Sequence, residues 1–170
     1  MYLNRVPKVN SNEELDEMTK GEGSFSDQDE YETHEDYVKH LREKLPTLNE
    51  ERHVEKSDYF KIGWLGKEVA YWRKANAIHR WFVENAQNNK DECLPHLVSK
   101  EKLEELLLLA YEVKDHQVPN KLPSQEGFFF GSTDYDELYY QDIDLTIDQL
   151  EKVLSETDWE KDSIYYQSSW

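Results

Sequence analysis

Residues 72–82, WRKANAIHRWF, crowd hydrogen-bond donors beside indole rings. On a helix, Arg73, Asn76 and Arg80 share one face at spacings of three and four. Trp72, Asn76 and His79 share the neighbouring face. Such a grouping can grip an anion or a nucleotide base through bidentate bonds and stacking. It is equally the pattern of an amphipathic helix whose tryptophans pack and whose basic groups pair with acids downstream. A second group follows in GFFFGSTDYDELYY, residues 127–140. Ser132, Thr133, Tyr135, Asp136, Tyr139 and Tyr140 fall where a strand would end and a helix begin, a favoured place for ligands. Gly131 stands alone there, with no GxGxxG or GxxxxGK, and acids in a first helical turn repel phosphate. A buried strand whose hydroxyls are hydrogen-bonded is therefore favoured over a phosphate cradle. The third group is the aromatic tail, residues 165–170 (YYQSSW), which either docks in a sheet or presents Trp170 to a partner. Docking is the favoured reading.

Catalytic signatures are thin. His34, His40, His53, His79, His96 and His116 form no HExxH or other ligand spacing. GFFFGS lacks the G-x-S-x-G pattern of a nucleophile elbow. The single cysteine, Cys93, allows no disulfide within the chain and no thiolate cluster. No catalytic or metal-binding residue is assigned and no cofactor is implied. If the chain does chemistry, His79 is the candidate general base, assisted by Asp136.

Charge narrows the partners. The chain carries 37 acids and 20 lysines and arginines, a net −17. Residues 10–60 hold sixteen acids against six bases, and residues 134–162 hold eleven against two; residues 61–133 are balanced at ten each. Such acidity disfavours direct contact with nucleic acid or an anionic membrane surface, since both need a basic patch. It leaves open a mimic of nucleic-acid charge that occupies a basic site on another protein. No apolar run approaches the roughly 18 residues needed to span a bilayer. MYLNRVPKVN lacks the apolar core of a signal peptide. Cytoplasmic residence is the expectation.

The elements that must position these groups are read from periodicity. Residues 1–9 read as a short strand that Pro7 either confines to an edge or ends. Residues 10–57 read as an acidic insertion or extended loop, with one amphipathic helix over 35–45 (EDYVKHLREKL) stopped by Pro46. A core helix is expected over 68–87, with Tyr71, Ala75, Ile78 and Phe82 as its buried stripe. Ser99 caps the next, over 99–115, whose leucines predict burial on most sides. Residues 128–130 read as a buried strand. Thr133 is the expected cap of a last helix over 135–155, striped by Ile143, Ile147, Leu150 and Leu154 and bent near Asp144. A terminal strand spans 163–170. The fold class is α+β: a small mixed or antiparallel sheet covered by about three core helices, with residues 1–9 and 58–170 forming one domain.

The MYL start, YWRKANAIHRWFV, LPSQEGFFFGSTDYDELYY and YYQSSW resemble an uncharacterised family of small proteins of bacteriophages and prophage-bearing bacterial genomes. The resemblance covers the start and residues 69–170. It differs at the missing residues before MYL and in the length of the acidic segment. It implies an accessory protein acting inside an infected bacterial cell. The leading expectation is a non-enzymatic protein that binds a host protein or a small metabolite, counter-defence included. Its surface comprises Trp72, Arg73, Asn76, His79, Arg80, Ser132, Tyr135, Asp136, Tyr139 and Trp170. The alternatives are an acidic nucleic-acid mimic and an enzyme acting on a small nucleotide-like substrate.

Overall fold

The computed structural model describes residues 1–8, 66–91, 93–127 and 132–169. The acidic insertion, the helix over 35–45, the phenylalanine strand over 128–130 and Trp170 lie outside the described residues. The described residues fold as four strands and three helices in the α+β class. They are β1 (Tyr2–Pro7), β2 (Lys67–Tyr71), α1 (Asn76–Asn85), β3 (His96–Val98), α2 (Lys100–His116), α3 (Glu137–Glu156) and β4 (Asp162–Gln167), with a 3₁₀ turn at Pro119–Lys121. The antiparallel sheet has the order β2-β1-β4-β3. In the β3–β4 register, His96 faces Tyr166 and Val98 faces Ile164.

Two compact units divide the described chain. One comprises Met1–Asn4, Glu68–Thr157 and Ile164–Trp170; the other comprises Arg5–Lys67 and Asp158–Ser163. In the second unit the described residues are held by Lys8, whose amide donates to the Lys161 carbonyl and whose ammonium donates to the Trp159 carbonyl, each at 2.8 Å. The buried Asp162 carboxylate lies 4.0 Å from the Arg5 guanidinium.

The first unit holds the three helices of the described residues. Its core centres on aromatic rings that the sequence spaced for it. Phe82 of α1 stacks on Tyr166 of β4, with centroids 4.1 Å apart and planes 11° from parallel. Trp81 meets Phe82 edge-on at 5.2 Å. Offset and edge-on pairs of this kind add about 0.5–1.5 kcal/mol beyond the area they bury. Trp72 is 0% exposed, and its indole Nε1 donates to Thr146 Oγ1 at 2.9 Å, so the ring's polar edge is satisfied. The first part of the aromatic tail is tied into the sheet: Tyr165 and Tyr166 are buried in β4 and pair with Leu97 and His96 of β3.

The expected helix over 68–87 is instead a strand followed by a shorter helix. KEVAY pairs alongside the chain start, and Met1 and Trp72 exchange both backbone bonds, at 3.1 and 2.8 Å. Val69 and Tyr71 favour extended backbone, and Lys74 at φ 65° turns the chain before α1 can start. Tyr71 therefore leaves the buried stripe and is 49% exposed, while Ala75, Ile78 and Phe82 stay buried. At the far end, Asn88 and Asn89 adopt φ 52° and 60°, the left-handed region that asparagine tolerates, and α1 stops.

α2 matches its expected span. Ser99 Oγ accepts from the Lys102 amide, Glu101 sits in the first turn, and Lys114 and His116 sit in the last, complementing the helix dipole. It ends on Gln117 at φ 53°, steadied by Gln117 Nε2 donating to the Lys114 carbonyl at 2.9 Å. Burial is one-sided, contrary to the expectation: Leu103, Leu106, Ala110 and Val113 are buried, but Leu108 is 69% exposed. The extra leucines fall off the 3.6-residue stripe. β3 was not expected; three residues after Pro95 give no period to read.

Candidate functional site

A pocket of about 320 Å³ opens between the β2–α1 turn and the start of α3. The first segment contributes Arg73, Lys74, Asn76 and Ile78; the second contributes Ser132, Asp136, Tyr139 and Asp142. That volume is at the small end of ligand sites, which run from about 300 to 1,000 Å³.

Each wall follows from local folding. The turn through Lys74 lifts two cations to the rim. α1 then starts behind Ala75, which offers no side-chain cap, and no acid occupies the first turn. The first amides of α1 thus lack partners within the helix and add positive potential to Arg73 and Lys74. Asn76 is buried and pins the two segments together, its Nδ2 donating to the Ser132 carbonyl at 3.1 Å. On the other side the expected cap, Thr133, yields to Asp136. Its Oδ1 accepts from the amides of Leu138 and Tyr139 at 3.0 and 3.1 Å. Aspartate is the stronger cap, and three residues of extra chain let 132–136 line the pocket before α3 begins. Tyr139 is buried against Tyr135 and Tyr140, and its hydroxyl donates to the Leu122 carbonyl at 2.9 Å. Burial raises its pKa, with Tyr135 and Tyr140 contributing.

Asp142 is the informative member. Burial first, and the charge of Asp136 second, push its carboxyl up to about 6. Among the described residues no cation pairs with it, and no carboxylate pairs with Arg73 or Lys74. A half-buried carboxyl with a raised pKa beside uncommitted cations in a pocket has the properties of a functional site.

Of the residues singled out from sequence, Arg73, Asn76, Ser132, Asp136 and Tyr139 meet at this pocket. Trp72 and His79 do not line it; both are wholly buried. His79 Nδ1 lies 2.6 Å from the Tyr166 hydroxyl and Nε2 lies 3.2 Å from Asp91 Oδ1. Burial lowers the His79 pKa, against the opposing pull of Asp91. Arg80 pairs with Glu84 at 2.7 Å one turn along α1. Tyr135 is exposed, its ring edge-on to Tyr139 at 5.0 Å. Sequence reasoning missed Lys74 and Asp142. A signal for Asp142 was present: it directly precedes Ile143 on the edge of the buried stripe, four residues before the buried Thr146.

Comparison with protein families, with curated proteins and with solved structures finds no match. Among the described residues, no helix is long and apolar enough to cross a membrane, and no group of three His, Cys, Asp or Glu side chains is placed to hold a metal ion.

Proposed function

We propose that the protein is a non-enzymatic accessory protein that holds a small charged metabolite in the pocket between the β2–α1 turn and α3. One observation carries this reading. Arg73, Lys74 and Asp142 line a single enclosure, and none is committed to an ion pair among the described residues. Asp142 is half-buried, so leaving it uncommitted costs stability that a bound ligand recovers, while Arg73 and Lys74 stand exposed at the rim and open to an anion. The enclosure suits a small molecule better than the flat patch a protein partner requires. The resemblance to phage proteins supports a setting in an infected bacterium, where the occupant would be a host metabolite.

Catalysis draws no comparable support. The described residues that line the pocket include no histidine, Asp136 is engaged as a helix cap, and His79 is bonded within the core. Charge mimicry is weakened on α3, where Lys114 pairs with Asp144 at 2.7 Å and Tyr111 donates to Glu151.

The test is thermal denaturation against a panel of charged metabolites. A true ligand at about 100 times its Kd stabilises by roughly 2.7 kcal/mol, a rise of about 5–10 °C for a chain this size. The rise should vanish in the double variant Arg73→Gln, Lys74→Gln. A panel of nucleotides, amino acids, amines and organic acids that leaves Tm unmoved contradicts the proposal.

A further inference from the structure

We infer that the ligand is dipolar, a molecule with an anionic and a protonated amino group, such as an amino acid or an aminoalkyl phosphate. The inference rests on the pocket being a binding site and goes on to name the chemistry of its occupant. The two walls differ in sign. Arg73 and Lys74 come from the β2–α1 turn, and Asp142 comes from the second turn of α3. A simple anion would satisfy the two cations but would face Asp134, Asp136 and Asp142, which also line the pocket. A simple amine would satisfy Asp142 but would face the guanidinium and ammonium. Only a ligand with both charges meets both walls, and like charges facing each other cost binding.

Three further observations agree. Asp136 commits Oδ1 to two amides of α3, so among the lining acids Asp134 and Asp142 are left to an ammonium, and Asp142 is the more buried of the two. Burial first, and the Asp136 charge second, disfavour the Asp142 carboxylate, and an ammonium beside it would offset both. Lys74 is held at φ 65°, a strained conformation for a residue with a side chain, and it stands at the rim. The volume of about 320 Å³ accommodates amino acids and short aminoalkyl phosphates.

The experiment is calorimetric titration of the full chain with named probes. Glycine, 4-aminobutyrate and 6-aminohexanoate vary the charge separation, and phosphoethanolamine replaces carboxylate with phosphate. Butyrate and butylamine carry one charge each. At least one dipolar probe should bind 10-fold or more tightly than both single-charge probes. The better of the carboxylate and phosphate arms identifies the anionic group. Asp142→Asn should weaken that probe about 10-fold or more and should tighten butyrate, whose carboxylate no longer faces the Asp142 charge. Circular dichroism melts confirm that the variant folds. Butyrate or butylamine binding as tightly as every dipolar probe, with Arg73→Gln still reducing affinity, overturns the dipolar inference and leaves the pocket reading standing. If no probe binds, a fragment screen by amide NMR decides: fragments shifting Ala77 and Ile78 overturn the dipolar inference alone, and none shifting them overturns both.

Discussion

Single residues set both the site and its pH response. Asp142 has a folded pKa of about 6 against an ordinary 3.8, so the folded state holds its proton more tightly than the unfolded state does. The resulting stabilisation is full below about pH 4 and is lost as pH rises through 6. Asp142→Asn therefore stabilises the protein at pH 8, by on the order of 1–2 kcal/mol once solvent screening is allowed for, and has no such effect at pH 3.5. Urea melts at the two pH values check this. His79 has the opposite sign: its pKa is lowered, so its contribution is present above about 6.5 and is lost as pH falls. Tyr166→Phe removes the hydroxyl beside buried His79 Nδ1 and should cost about 1–3 kcal/mol. It should leave ligand affinity unchanged, since neither residue lines the pocket. From sequence the donors at 72–80 looked like one surface. Burial divides them, because an arginine stays at the rim while a tryptophan and a neutral histidine are drawn into the core.

At the scale of elements, capping decides where the site's walls begin. Asp136→Ala should destabilise by about 1 kcal/mol, and Thr133→Ala by only a few tenths, in parallel denaturant melts. Equal losses would contradict the assignment of the cap. Ser99→Ala should cost about as much as Asp136→Ala. Long periodic elements were legible: α2 and α3 start within two residues of expectation, and Ile143, Ile147 and Leu150 are buried, although Val153 rather than the expected Leu154 continues the stripe. β2 was misread because KEVAY followed by a helical segment continues a plausible apolar period, and only pairing with the chain start makes it extended. Nothing local marks that long-range choice. Leu150→Ala, in the middle of the α3 stripe, should cost about 2–5 kcal/mol.

Across the whole molecule the acidic balance is the dominant property. A net charge of −17 repels itself, so Tm should rise as sodium chloride is raised from about 20 to about 300 mM. Falling Tm over that range would show that ion pairs outweigh repulsion. The α+β class and the docking of Tyr165 and Tyr166 in the sheet were readable from aromatic runs and helical stripes. The pocket was half readable. Its residues come from two segments about sixty positions apart, and spacing along one element cannot show which charges of another will meet it. The position of Asp142 at the edge of the α3 stripe was legible, but its place opposite Arg73 and Lys74 depends on α1 and α3 supplying facing walls to one pocket.

The most direct measurement is the pKa of the Asp142 carboxyl by carbon NMR, with and without the best dipolar probe. The account predicts a value near 6 in the free protein and a fall of at least one unit on saturation, as the ammonium favours the charged form. A carboxyl that titrates near 4 in the free protein, or one that the bound probe leaves unmoved, would contradict it.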